Sequence, residues 1–312
     1  MALLGSFWDD FKYAMHTGNM VTRLVIVNFI VFVLVNVCYL LVFLILGYKR
    51  ELMYEVFHKG LDWFCMPGNV QTLLWQPWSI VTSIFLHQGI FHLINNLIGL
   101  YLFGSIVSDL IGDRKILPVY LMGGLTGNII YMISAHFFPY IGGYALGASG
   151  AVMALAGTAL VLAPDYRVAL ILLGEVKVKY IVFVMLLLDF VGIANQENTG
   201  GHAAHLGGFL MGCLIIYQLR DGHDWSEKVN RFLDRFMGLF TKNVPRKPAP
   251  QRRRQPAFRA TKGGVPSESV SDSDHGISFQ DRLDAILDKI KENGYENLTQ
   301  EEKDFLFEAS KK

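Results

Sequence analysis

Of the 312 residues, 52% are hydrophobic and only 18% are charged, a balance that excludes disordered and collagen-like chains. Charge is spread unevenly: residues 1–220 hold 11 Lys and Arg and 11 Asp and Glu, whereas the last 92 hold 17 and 16. A membrane-like part is thus followed by a water-soluble one, and the net charge of +1 hides the partition. Three scattered cysteines, Cys38, Cys65 and Cys213, are too few for a disulfide framework or a zinc cluster.

In chain order, a short segment at 1–23 precedes the run from Leu24 to Leu46, which is apolar except for Asn28 and Asn36. A hydrocarbon core of ~30 Å takes about 20 helical residues. The run is too long for a signal-peptide core and no small-residue cleavage site follows it, so it reads as a retained span. Further spans are expected over about Ile90–Leu110, Ile116–His136, Ser149–Ala163, Tyr180–Ile193 and Ala203–Leu219. That makes six, with the fourth and fifth short for a full crossing. These two are expected to begin or end below the membrane surface, where water or protein covers the backbone. The three asparagines Asn28, Asn36 and Asn128 are assigned to hydrogen bonds between spans.

Orientation follows from the basic residues. With the N-terminus inside, the inner segments hold Lys12, Arg23, Arg114, Lys115, Arg167, Lys177, Lys179 and Arg220, against Lys49, Arg50 and Lys59 outside. Both termini are therefore expected in the cytoplasm. The long outer connection, 47–83, carries Tyr54, Phe57, Trp63, Phe64, Trp75 and Trp78, amphipathic aromatics that suit the headgroup region.

After the spans at 24–220, an amphipathic interfacial helix is expected at 221–242. Trp225, Val229, Phe232, Leu233, Phe236, Leu239 and Phe240 recur at helical spacing, with Lys228, Arg231 and Arg235 off that stripe. Such a helix, continuing into a basic linker, suits anionic inner-leaflet lipid. Residues 243–278, rich in Pro, Ser, Gly and charge, read as that linker, disordered. The chain ends in a small helical hairpin at 279–312. Leu283, Ile286, Leu287 and Ile290 form a stripe stopping at Gly294, and Thr299 with Glu302 matches a capping box. The fold class expected is an all-α polytopic membrane protein with a small cytoplasmic helical tail.

Polar groups inside spans each need a reason. His92 and Asn96 are four residues apart and share one face of the second span. The fourth span begins at Ser149, within Gly147-Ala148-Ser149-Gly150. A serine at a helix N-terminus keeps its own backbone N–H free, beside a dipole that favours developing negative charge. These are the needs of a nucleophile and its oxyanion site. The hydroxyl also needs a base, and the sixth span offers His202 and His205. Gly208 and Gly212 lie beneath His205, and Gly150, Ala154 and Gly157 give the fourth span a matching small-residue face. Packing the two faces would bring His205 towards Ser149. Asp189, near the end of the fifth span, reads as a polar anchor or a water-facing group, His87 as a brace for the outer loop, and His202 as a bystander near the surface.

Over about residues 78–219 the chain resembles the rhomboid intramembrane serine proteases. The likeness runs through Trp78, His87, His92-Leu-Ile-Asn-Asn96, Gly104 with Gly112, Gly147-Ala-Ser149-Gly150, and Ala204-His205 with Gly208 and Gly212. The resemblance implies a six-helix bundle in which Ser149 is the nucleophile and His205 its general base. It implies that His92 and Asn96 join the Ser149 N–H in the oxyanion hole, without an aspartate. Its implied substrates are transmembrane segments of other proteins. No metal, cofactor or nucleic-acid partner is expected, and the sequence fixes no oligomeric state. Three departures stand out: the family's Trp-Arg pair reads Trp78-Ser79, Ser108 replaces the acidic residue between the two loop glycines with Asp109 next to it, and Met153 stands where many bacterial members have a tyrosine. Two other classes compete. A pseudoprotease would bind transmembrane helices without cutting, but such relatives typically lack the serine or histidine. A metal enzyme built on His87, His92, His202 and His205 would lack HExxH and intramembrane carboxylates at ligand spacing.

Overall fold

Helix α1, Met20–Leu46, starts where Asn19 accepts from the Thr22 backbone N–H at 2.9 Å and stops at Gly47, whose φ of +63° ends the helix. The computed structural model describes residues 12–15, 17–47, 50–138, 141–170, 174–240, 283, 286, 289–290 and 298–309. Within them the outer connection holds α2 (Arg50–Asp62), the strand β1 (Met66–Pro67), α3 (Val70–Trp75) and α4 (Ser79–Thr82). Then follow α5 (Ile90–Ile111), α6 (Ile116–Phe137), β2 (Tyr144–Ala145), α7 (Ser149–Leu162), the pair β3 (Arg167–Leu170) and β4 (Gly174–Lys177), α8 (Val178–Ala194), α9 (Thr199–Arg220) and α10 (Trp225–Phe240). Among the described residues, four helical stretches are long and apolar enough to cross a membrane: Met20–Leu46, Ile90–Ile111, Asp113–Phe137 and Thr199–Arg220.

The arrangement centres on α7. It is only 14 residues long, and every residue from Gly150 to Ala159 is buried, as expected for a helix apolar on all sides. Helices α5, α6 and α9 surround it. Tyr120, Phe103, Leu100, Leu155 and Ile216 fill the core between them. By contrast α1 and α8 turn Phe29, Leu34, Leu44, Phe183, Leu187 and Leu188 outward, the apolar exterior that a bilayer would solvate.

Glycine sets how closely these helices meet. A Cβ on Gly208 would lie 1.9 Å from the Gly150 carbonyl oxygen, one on Gly212 would lie 1.9 Å from that of Ala154, and one on Gly157 would lie 2.4 Å from that of Phe209. Any side chain there would push α7 and α9 apart. At the C-terminal end of both helices, Arg220 donates to the Val161 carbonyl at 2.7 Å and closes the pair.

Three sequence expectations change. The bundle is not purely helical, because β1 pairs with β2 and β3 with β4, both antiparallel. The second pair is locked by Asp165, which accepts from Lys179 at 2.8 Å and Lys177 at 3.0 Å. Those two lysines hold its carboxyl at about 2. Asn36 does not bridge helices: it is exposed and donates to Phe32 of its own helix at 2.8 Å. Asn28 and Asn128 do bridge, to the Tyr120 hydroxyl at 3.1 Å and to Ser83 and Ile80 at 2.8 Å. The carboxylate beside Ser108 is that of Asp113, which accepts from the Met20 backbone at 2.7 Å and lies 3.5 Å from the Ser108 hydroxyl.

Helix α10 is tied to the start of α6 through Lys115, which contacts Asp224 and Ser226, and through Asn230, which donates to Arg114 at 2.9 Å. Its stripe divides. Trp225, Val229 and Leu233 are half-buried, while Phe232, Phe236 and Met237 are exposed. The chain forms two units, Met1–Pro245 and Arg246–Lys312. The linker expected at 243–278 lies outside the described residues. In the second unit, α11 (Gln300–Ala309) starts at a reciprocal cap, with the Thr299 N–H on Glu302 at 2.8 Å and the Glu302 N–H on the Thr299 hydroxyl at 3.4 Å. Lys289 pairs with Glu302 at 2.8 Å, and Ile286 and Leu298 are buried.

Candidate active site

The approach to Ser149 is held from both sides. Its upstream strand β2 pairs with β1, Gly68 donates to the Gly143 carbonyl at 2.8 Å, and Gly147 donates to Ser83 at 2.9 Å. Gly147 has a φ of +133°, a conformation that glycine adopts without strain. A Cβ there would lie 2.9 Å from His92 Cε1 and Nε2 and 3.7 Å from Ser149 Oγ. The glycine thus leaves the imidazole and the hydroxyl facing one small space. Ser149 then opens α7, where the backbone N–H groups of the first turn have no partner within the helix.

On the opposite side stands the first half of α9. The Ala204 carbonyl, next to His205, lies 2.9 Å from where a Cβ on Gly127 would sit and 3.5 Å from where one on Gly150 would sit. The neighbours of Ser149 and His205 are therefore in backbone contact. Ser149, His205, His92, Asn96 and Asp189 all line one cavity of about 960 Å³, walled by α5, α7, α8, α9 and the outer loop. Asn96 is buried and uses one amide hydrogen on the His92 carbonyl at 2.8 Å. An amide has two.

Two residues are placed differently from the sequence reading. Asp189 is only 4% exposed, and its Oδ1 lies 2.7 Å from Nδ1 of both His202 and His205. Asp189 thus faces the two histidines rather than water, and His202 shares its carboxylate oxygen with His205. Helical spacing carries a signal once α8 and α9 are known to be neighbours. Asp189 lies five residues before the end of α8, and the two histidines lie three and six residues into α9. At about 1.5 Å per residue these depths coincide across the short turn at 195–198. The ligand atoms of Asp189, His202 and His205 fall within 4.8 Å of one another, the group among the described residues best arranged for a metal ion. His87 is buried outside the helices, with Nδ1 3.3 Å from the Phe85 carbonyl and its ring 5.2 Å from that of His92. Burial pushes it down to about 4, so it stays neutral beside His92.

Comparison with known proteins gives the same frame. Residues 74–221 match the family model of the rhomboid domain, and residues 277–312 match that of a family of unknown function (DUF6576). The chain is 27% identical to "RHOMBOID-like protein 12, mitochondrial" of Arabidopsis thaliana, over 69% of this chain and 62% of that protein. To "Presenilin-associated rhomboid-like protein A, mitochondrial" of Danio rerio it is 26% identical, over 55% and 44%. To "Rhomboid protease GluP" of Bacillus subtilis it is 33% identical, over 42% and 25%. The matches span less than two thirds of the length of each of these relatives. Residues 74–221 form a rhomboid domain, and the apolar helices make the chain an integral membrane protein.

Proposed function

We propose that this rhomboid-family chain is an intramembrane serine endopeptidase that cuts transmembrane segments of other membrane proteins. The observation that supports the reading is the single cavity onto which Ser149, His205, His92 and Asn96 all open. His205 takes the hydroxyl proton as Ser149 Oγ attacks the scissile carbonyl carbon. The resulting oxyanion accepts from the Ser149 N–H and from the side chains of His92 and Asn96. His205 returns the proton to the departing amine as the C–N bond breaks, leaving an ester on Ser149. A water molecule, deprotonated by His205, then attacks the ester; as its C–O bond breaks, His205 returns the proton to Ser149 Oγ and the new carboxyl end is freed. These steps need neither metal nor cofactor.

In this reading all six apolar helices from α1 to α9 cross or enter the bilayer, and both termini face the cytoplasm, as the distribution of basic residues supports. The exposed Phe232, Phe236 and Met237 of α10, flanked by Lys228, Arg231 and Arg235, would then rest on anionic inner-leaflet lipid.

Labelling the detergent-solubilised protein with a serine-directed phosphonate tests the reading, with the adduct mapped by mass spectrometry. Modification of Ser149, together with cleavage of a model transmembrane substrate that Ser149→Ala abolishes, is the expected result. Equal turnover by Ser149→Ala would sink it. Binding of the substrate helix without cleavage by the intact protein would instead assign it to the non-cleaving relatives.

A further inference from the structure

We infer that Asp189 is a positioning residue for the general base, so that this chain backs its serine–histidine pair with a carboxylate. The inference rests on the serine-protease reading above. Asp189 follows an apolar run, Ile181–Leu188, in α8 and is almost wholly buried, with Oδ2 lacking any hydrogen-bond partner among the described residues. An ionised carboxylate in such surroundings costs several kcal/mol unless donors face it. Two do, and both reach the same oxygen: Nδ1 of His202 and Nδ1 of His205, each at 2.7 Å.

The chemistry of the carboxylate fixes the rest. It can only accept, so each imidazole must present Nδ1–H to it. A neutral imidazole protonated on Nδ1 has its lone pair on Nε2, on the far side of the ring. For His205, which lines the cavity with Ser149, that is the nitrogen able to take the hydroxyl proton. Once Nε2 is protonated, the imidazolium lies against the carboxylate, which stabilises the charge where water is scarce. Histidine 202 contributes by holding Asp189 in place. Its ring is seated against Gly192, where a Cβ would lie 2.1 Å from Nε2, so the glycine makes room for it. Its Nδ1–H then anchors Oδ1 from one turn further out. The tight connection at Gln196 and Asn198, both with positive φ, sets the register of α8 against α9 that brings the three groups together.

The test compares purified full-length wild type, Ser149→Ala, Asp189→Asn, Asp189→Glu and His202→Gln, in one detergent, on one fluorogenic transmembrane peptide. Asp189→Asn is expected to lower kcat by about 100-fold or more, because the amide can present N–H to Nδ1 and stabilise the wrong tautomer. KM is expected to stay within about twofold and the thermal midpoint to stay at the wild-type value, since the side chain keeps its shape. Asp189→Glu should recover part of kcat, and His202→Gln should lose no more than about tenfold. If asparagine at 189 does not fold, Asp189→Ser is read by the same kcat and KM criteria. Wild-type kcat in Asp189→Asn overturns the inference. So does a loss shared by kcat, KM and thermal midpoint that glutamate fails to rescue, which would mark a packing role. Inactivation by EDTA and restoration by zinc would assign the three groups to a metal and overturn it as well. An inactive wild type, or turnover by Ser149→Ala, fails the serine-protease reading itself and is distinguishable from each of these.

Discussion

Helix α9 has two halves that work by opposite rules. In its first turns, polar side chains meet across space: His202 and His205 reach a carboxylate on α8, and the adjoining cavity is large. Two turns further in, side chains are missing altogether, and Gly208 and Gly212 let the backbone of α9 lie against that of α7. The difference teaches how polar side chains are placed within a bundle of membrane helices. There is little hydrophobic drive between helices in lipid, so close backbone contact sets the distance and the few polar groups above it inherit that distance.

Substitutions in the two halves should therefore fail in different ways. The largest effect on turnover is expected from His205→Ala, which should bring cleavage to background while the thermal midpoint in detergent stays near wild type. A midpoint that falls with the activity would show that the outer half is structural too. Gly208→Val should do the reverse. Its side chain meets the Gly150 carbonyl, and overpacking of this kind costs about 3 kcal/mol. The midpoint should drop, with residual activity following the folded fraction. A folded, inactive Gly208→Val would blur the comparison.

A smaller effect concerns pH and His87. Its folded value of about 4 lies below the ordinary 6.5, so the unfolded chain binds the extra proton between those limits. Stability from this group is complete above pH 6.5 and is lost as pH falls towards 4, by up to about 3 kcal/mol. Midpoints measured at pH 7 and pH 5 should diverge for wild type and converge for His87→Gln; equal slopes would remove His87 as the cause. The smallest effect is expected from deleting 243–312. Every group in the proposed mechanism lies between His92 and His205, so kcat on a detergent-solubilised substrate should stay within about twofold of wild type. An inactive but folded truncation would place the tail in the catalytic unit.

Much of the outer half could be read from sequence because its signals are local. A serine between glycines at a helix start and a histidine three residues before Gly208 are visible in a single line of residues, as are the apolar runs around them. The carboxylate was not, for a physical reason. Asp189 is 13 and 16 residues from its partners, in another helix, and an isolated acid in an apolar run has several possible reasons to be there. Only the packing of α8 on α9 selects one. The strand pair β3–β4 escaped notice for a related reason: its four-residue strands are too short to show a clear alternation, and the partners that flank it, Asp165 with Lys177 and Lys179, are apart in sequence. Asn36 shows the converse, since a helix can satisfy an asparagine through its own backbone.

The backbone bonds from Gly68 to Gly143 and from Gly147 to Ser83, with the short pairing of β1 and β2, have a consequence for what the outer connection can absorb. Exposed loop tips ordinarily accept inserted residues. Here, a residue inserted at 68 or between 83 and 89 shifts the register of a stitch that ends two residues before Ser149. The length of this part of the loop is thus set by the helix start that it borders.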